Sequence, residues 1–281
     1  MEDKAIKLFK SKIKEKIVNI EDSSKGVNQI VNIITTEKSK YVVKYAQDPI
    51  HIIREVLACE KLKDKIPVPI TIFHNKHCLI QTYIEGTDFD SAKLTKKERY
   101  NLYKELGSIV KKMHRVKLKG YGDIEKDKIG GFKSYSKYIK YNLDEHLPII
   151  QKYITKKEYE TLLAYLENTR KYQNTKKRSL LHQDLEEGNM KVQNKKVSGI
   201  IDFGDLSVGP AVTDFARPYC VHYSDGLFDA IKEGYKTLDV KEVKFQAIMF
   251  LIWNIPHQSR KTNKKRFNKY KKIFRNIINQ K

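Results

Sequence analysis

Cysteine is scarce in this chain of 281 residues: Cys59, Cys78 and Cys220 lie far apart, are odd in number and form no CxxC pair. That argues against a disulfide framework and against a structural zinc site. Cys59 and Cys78 sit among apolar residues, where buried, inert thiols are expected. Glycine and proline are also sparse, at 13 and 7, and no segment has the biased composition of a low-complexity region. No run of 18 apolar residues occurs, so no membrane span is expected. The opening Met1-Glu-Asp-Lys-Ala-Ile-Lys7 lacks the apolar core and small-residue cleavage pattern of a secretory signal. A soluble, cytoplasmic chain is the expectation.

Acids are the minority charge. Asp and Glu number 34 against 56 Lys and Arg, giving a formal net charge of +22. Such an excess raises the question of nucleic acid or an anionic surface as partner. The lysines are scattered, however, and no recognition motif accompanies them, so no specific nucleic-acid partner is expected. The densest basic stretch, Arg260 to Lys281, holds ten Lys or Arg and no acid. Its Phe267, Tyr270, Phe274, Ile277 and Ile278 recur at helical spacing, which predicts a terminal helix with a solvated basic face.

With 40% hydrophobic and 32% charged residues the composition is globular, and the length suits one large domain or two lobes. Ala5, Phe9, Ile13 and Ile17 are spaced four apart and predict a helix over 3–18. A polar turn from Glu21 then runs into a strand ending at Ile34. Thr36 to Lys40 reads as a hairpin loop, Tyr41 to Tyr45 as a strand, and Pro49 to Lys63 as a helix that begins on proline. Strands are predicted over 70–73 and 78–83, with a turn at Glu85-Gly-Thr-Asp88. The first 85 residues thus form a small α+β unit with antiparallel strands, and the remainder is mainly helical. Helices are predicted over 96–114, 132–142, 156–168, 226–238, 240–253 and 262–279. Short strands at 189–192 and 197–202 flank a turn at Asn194-Lys-Lys196.

The chemistry concentrates in Leu180-Leu-His-Gln-Asp-Leu-Glu-Glu-Gly-Asn-Met-Lys-Val192 and Ser198-Gly-Ile-Ile-Asp-Phe-Gly-Asp205. If the two short strands pair, Asn189 and Asp202 converge at one mouth, offering hard oxygen ligands suited to Mg²⁺. Asp184 is then the candidate base that orients and deprotonates an attacking hydroxyl in phosphoryl transfer. Asp205 is read either as a brace of the loop after Asp202 or as a further contributor to the metal site.

These residues carry a resemblance. His182, Asp184 and Asn189 match the His-x-Asp and following Asn of the aminoglycoside phosphotransferase family, a branch of the protein-kinase-like fold that also includes choline and other small-alcohol kinases. Ile201-Asp-Phe-Gly-Asp205 and Gly209-Pro-Ala-Val-Thr-Asp-Phe-Ala216 resemble its later motifs, although the acid usual between that glycine and proline is absent. The resemblance implies an α+β bilobal fold, with a small antiparallel-sheet lobe over 1–85, a hinge near 79–86 and a larger helical lobe over 86–281. It implies ATP or GTP as phosphate donor. Lys44 would hold the nucleotide phosphates, Glu55 would be its ion-pair partner, and the backbone at Gln81, Thr82 and Tyr83 would meet the purine. His182 and Asp214 would brace the catalytic loop. Gly26 supplies neither a full glycine-rich loop nor a P-loop, and reads either as turning the first hairpin over phosphate or as a plain hairpin glycine. No activation segment ending in Ala-Pro-Glu follows Asp202, which argues against a protein kinase.

The acceptor is less legible. Asp144, Glu145, Asp225, Asp229 and Glu233 are candidate contacts for a cationic acceptor, and the last three recur at i, i+4 and i+8, as on one helix face. The net charge opposes a strongly cationic molecule, though screening confines that effect to about 8 Å. The reading is therefore a nucleotide-dependent small-molecule O-phosphotransferase acting on an aminoglycoside or related antibiotic. The alternatives are a metabolic alcohol kinase, for choline or a sugar alcohol, and an inactive nucleotide- or polyanion-binding interaction protein.

Overall fold

The computed structural model describes residues 2–23, 29–125, 129–260 and 263–280. Gly26 and its expected turn lie outside them. In chain order the elements are α1 (Glu2–Lys12), β1 (Ile17–Asp22), β2 (Gln29–Thr36), β3 (Lys40–Ala46), α2 (Pro49–Leu62), β4 (Thr71–His74), β5 (Cys78–Thr82), β6 (Thr87–Asp88), α3 (Lys96–Met113) and β7 (Gly122–Asp123). There follow α4 (Tyr135–Ile150), α5 (Lys156–Asn168), α6 (Arg170–Gln173), β8 (Ser179–Leu181), β9 (Met190–Gln193), β10 (Lys196–Ile200), β11 (Ser207–Gly209), α7 (Ala216–Val221), α8 (Leu227–Tyr235), α9 (Val240–Arg260) and α10 (Lys264–Ile278). Among the described residues no helix is long and apolar enough to cross a membrane.

Contacts divide the chain into two compact units. The first comprises Met1–Thr95, Ile124–Asp127 and Glu187–Leu206. Its antiparallel sheet has the order β1-β2-β3-β5-β4. Side chains alternate across a strand, and β3 and β5 use that alternation to separate two kinds of surface. Tyr41, Val43, Cys78 and Ile80 pack with Ile34 against Ala5 and Phe9 of α1. Ala46 and Leu79 point the other way and pack against Ile52 and Val56 of α2. Lys44 and Gln81 share that second face by parity. Asp48 caps α2, accepting from the Ile50 N–H at 2.9 Å, and Pro49 opens it without sacrificing a helical donor.

A smaller sheet, β10-β9-β6, completes this unit. Asn194 and Lys195 both take positive φ in the tight turn between β9 and β10, as a primed two-residue hairpin requires. Thr87 pairs with Val192, and the Phe89 N–H donates to the Met190 carbonyl at 3.0 Å. Gly86, at φ +128°, lets the chain pass β9, because a Cβ there would lie 2.6 Å from the Val192 carbonyl oxygen. These contacts join residues 187–206 to the first unit, a grouping that a linear division at residue 85 does not contain.

The second unit comprises Lys96–Asp123, Lys128–Glu186 and Ser207–Lys281. Its short sheet runs β7-β11-β8, and α9 supplies a core of Val243, Phe245, Ala247, Ile248, Leu251, Ile252 and Ile255. Thr155 and Glu158 form a reciprocal capping box at the start of α5. α3 and α8 approach backbone to backbone at two glycines. A Cβ on Gly107 would stand 2.3 Å from the Ile231 carbonyl oxygen, and one on Gly234 only 1.8 Å from that of Lys104.

Several boundaries differ from expectation. The predicted helix over 3–18 ends at Lys12, and Ile17 instead opens β1, because Ile17 to Asp22 pairs with β2. α4 continues to Ile150 through Pro148, and α9 to Arg260 through Pro256. The helix expected from 226 starts at Leu227, with Gly226 as its left-handed cap. α7 was not foreseen. Replacing Gly234 with alanine should overpack the α3–α8 contact by about 1–3 kcal/mol. A lowered urea midpoint at unchanged slope is the expected result, and a wild-type midpoint would show that the helices part freely.

Candidate active site

In the first unit the buried Lys44 reaches Glu55 Oε1 at 2.7 Å and Oε2 at 2.9 Å, and Asp202 Oδ1 at 3.4 Å. Burial alone would lower the lysine's pKa, but the charge of Glu55, and after it that of Asp202, reverses this and carries it upward. The ammonium therefore stays charged. Burial pushes the Glu55 carboxyl up against the pull of Lys44. Gln81 supports the pair from the same sheet face, hydrogen-bonded to Glu55 and donating to Cys59 Sγ at 3.4 Å. Burial, with Glu55 nearby, pushes the Cys59 thiol up to about 12, and burial pushes Cys78 up to about 11, so both are inert packing groups.

Asp202 follows β10 in a left-handed conformation, φ +65°. The preceding residue ties it to the other arm of the hairpin: the Ile201 N–H donates to the Asn189 carbonyl at 3.0 Å. The loop beyond is held from α2, where Arg54 donates to the Gly204 carbonyl at 3.2 Å and to that of Ile124 at 2.9 Å. Asn189 is buried and Asp202 half-exposed. One carboxylate beside an amide-bearing turn is a hard-oxygen set that suits Mg²⁺, which keeps waters and takes phosphate oxygens rather than requiring a protein cage. No cluster of three or more His, Cys, Asp or Glu able to hold a metal occurs among the described residues. Asp205 is exposed, in the turn closed by the Leu206 N–H on the Phe203 carbonyl.

Around the expected hinge, the Thr82 N–H donates to the Ile70 carbonyl at 3.0 Å and the Tyr83 N–H to that of Lys40 at 3.2 Å. Those two donors are engaged in the sheet. The following residue, Ile84, lies against β10, where a Cβ on Gly199 would meet its Cγ2 at 2.6 Å.

In the second unit Asp214, fully buried, organises the loop that carries Asp184. Its Oδ2 accepts from the His182 N–H at 2.9 Å and its Oδ1 from the Gln183 N–H at 2.7 Å, while His114 Nε2 lies 2.9 Å from Oδ2. Gln183 sits at φ +67° and donates its amide to Ser207 Oγ at 2.6 Å. His182 accepts the Asp184 N–H on Nδ1 at 3.2 Å. Its imidazole is wholly buried and acts on the loop backbone. Arg217 is the residue that sequence reasoning missed: its guanidinium pairs with Asp184 and with Glu186. The only signal was its position three residues after Asp214, immediately beyond the motif ending at Ala216.

Four of the five candidate acceptor acids have a basic neighbour. Asp144 pairs with Lys140 at 2.6 Å and Glu145 is exposed on the same helix. Asp225 precedes α8 and meets His222 Nδ1 at 2.8 Å, while Asp229 pairs with Lys232 at 2.9 Å. Glu233 pairs with Lys104 across the α3–α8 contact and accepts from the Tyr100 hydroxyl at 3.0 Å.

The family model described as "Phosphotransferase enzyme family" matches residues 22–243. The chain belongs to the phosphotransferase enzyme family. It is accordingly a kinase that transfers phosphate to a hydroxyl. No curated protein matches it by sequence. Among solved structures, aminoglycoside phosphotransferase APH(4)-Ia superposes with a TM-score of 0.74 at 12% identity, covering 98% of each chain. A thermostable mutant of that enzyme, in a ternary complex with AMP-PNP and hygromycin B, gives 0.75 at 11% identity over 98% of this phosphotransferase and 97% of that chain. The streptomycin–ATP–APH(2'')-IIa ternary complex gives 0.69 at 18% identity over 92% and 90%. At these identities the likeness is one of fold: α+β, with an antiparallel-sheet part and a helical part.

Lys44→Met would leave Glu55 buried without its cation, a loss of about 3–5 kcal/mol for a buried pair broken on one side. Chemical denaturation of the purified phosphotransferase should show that loss, and equilibrium titration should show weakened ATP binding. Wild-type values for both would remove the pair from the nucleotide site.

Proposed function

We propose that this phosphotransferase uses ATP or GTP to phosphorylate a hydroxyl of a small molecule, with an aminoglycoside or related antibiotic as the leading acceptor class. The observation that carries the reading is the buried Lys44, held between Glu55 and Asp202. A lysine fixed in this way presents a permanent positive charge to nucleotide phosphates, and it adjoins the carboxylate best suited to a metal. Asn189 and Asp202 would hold Mg²⁺, which when bound neutralises phosphate charge. The solved relatives bound to AMP-PNP with hygromycin B and to ATP with streptomycin support a nucleotide donor and a hydroxylated acceptor.

Within the chain the work divides by residue. Lys44 orients the donor phosphates, and Glu55, supported by Gln81, keeps the lysine aimed. Asp184 accepts the proton of the acceptor hydroxyl as its oxygen attacks the terminal phosphate. His182 and Asp214 hold the loop that presents Asp184, while Asp205 steadies the turn after Asp202. A cytoplasmic setting follows from the donor, since ATP and GTP are regenerated there, and phosphorylation of an antibiotic would confer resistance.

A second reading, a metabolic kinase for choline or a sugar alcohol, is favoured by the candidate acids themselves. Asp144, Asp225, Asp229 and Glu233 each have a basic neighbour, which weakens them as sites for a polyammonium acceptor. Offering ATP and GTP with aminoglycosides, macrolides, choline and small alcohols, and locating the added phosphate by mass spectrometry, separates the two. Asp184→Asn should lower turnover of the verified acceptor by about 10²–10⁴-fold with ATP affinity retained, and undiminished phosphorylation would refute its role as base. Asp202→Asn should instead abolish productive Mg²⁺–nucleotide binding. Absence of magnesium-dependent turnover with every acceptor would leave the inactive nucleotide- or polyanion-binding protein as the reading.

A further inference from the structure

We propose that Arg217 is a positioning residue for the phosphoryl-transfer reaction, holding the Asp184 carboxylate in plane and coupling it electrostatically to Glu186. The inference rests on the reading of Asp184 as the base. Two different nitrogens of one guanidinium are used, Nη1 toward Asp184 Oδ1 and Nη2 toward Glu186 Oε2. A forked donor of this kind fixes orientation as well as charge. With Oδ1 held, the carboxylate cannot rotate about its last bond, so the lone pairs of Oδ2 keep one direction.

Arg217 is carried on helical backbone. It lies in α7, directly after the short 3₁₀ turn Ala211–Phe215 that contains Asp214. One helical turn separates the two residues. Asp214 takes the backbone N–H groups of His182 and Gln183, and Arg217 takes the side chains of Asp184 and Glu186. A single stretch of helix therefore sets both the backbone and the carboxylates of the loop.

Among the described residues, charges from three elements face this group. The catalytic loop supplies Asp184 and Glu186, α7 supplies Arg217, and α10 supplies Arg266 and Tyr270, which both bear electrostatically on Arg217. Burial lowers the pKa of Arg217, and Arg266 lowers it further against an opposing effect of Tyr270. A guanidinium nonetheless remains protonated at neutral pH. Its function is thus to stand between two carboxylates only two residues apart. Without it, each would raise the other's affinity for a proton.

The test follows the Asp184 carboxyl directly, by ¹³C NMR of the full chain labelled at aspartate, with Asp184→Asn identifying the resonance. Arg217→Gln should raise the Asp184 titration midpoint by about one unit or more. The acid limb of the kcat profile for MgATP hydrolysis, with water as acceptor, should move the same way, while MgATP affinity stays within twofold. Adding Glu186→Gln to that variant should bring the midpoint back down. Arg217→Lys keeps the charge without the fork, so it should restore the midpoint in part and leave kcat five- to tenfold low. An unmoved midpoint, with kcat falling only in step with the melting temperature, would make Arg217 a plain structural brace and overturn the proposal. Should Arg217→Gln not fold, the lysine variant decides: wild-type kcat overturns the proposal, and the stated loss at unchanged MgATP affinity supports it. Undiminished phosphate release by Asp184→Asn would instead refute Asp184 as the base, and would leave the measured coupling to Arg217 intact.

Discussion

A carboxylate taken out of water has to be supplied with donors, and Asp214 shows how much structure that demand can organise. Two successive backbone N–H groups, of His182 and Gln183, converge on its two oxygens, and His114 approaches from just past the end of α3. Such convergence requires the chain to turn sharply, which it does at Gln183 in a left-handed conformation. The turn places Asp184 on its loop. The strain of that backbone is compensated by the bonds that cause it.

A different balance governs the first unit. There the buried charge is a lysine, and the sheet supplies its surroundings by parity. Along β3 and β5, Tyr41, Val43, Cys78 and Ile80 build one apolar layer, while Lys44 and Gln81 emerge on the opposite face with Ala46 and Leu79. Shifting β3 by one residue would bury Lys44 against α1, away from Glu55. The apolar core under α1 therefore sets the register that keeps the polar cluster assembled.

How far the sequence could be read follows from the range of each interaction. β3 and α2 were legible because strand periodicity and an opening proline are local. β1 was not, because Ile17 to Asp22 is a strand by virtue of its pairing with β2, and Ile13 and Ile17 extend the helical spacing past the true end of α1. Asp184, Asn189 and Asp202 stand out through their motif. Arg217 does not, since its partners lie some thirty residues away and an arginine in a chain rich in cations carries no signal by itself. The acid row Asp225, Asp229 and Glu233 shows the converse: spacing marks a shared face, but the neighbours His222, Lys232 and Lys104 are not written in that spacing.

The pairing of β6 with β9 bears on how this protein could be recombined with its relatives. The residues that would handle nucleotide and metal belong to one compact unit, yet are encoded in separate stretches, with Lys44 and Glu55 near the start and Asn189 and Asp202 roughly 140 residues later. A chimera that exchanged only the first 95 residues would transplant half of that apparatus and leave the hairpin to adapt to a foreign β6. The exchangeable module is discontinuous in the gene, and a crossover that respects it must be made in at least two places.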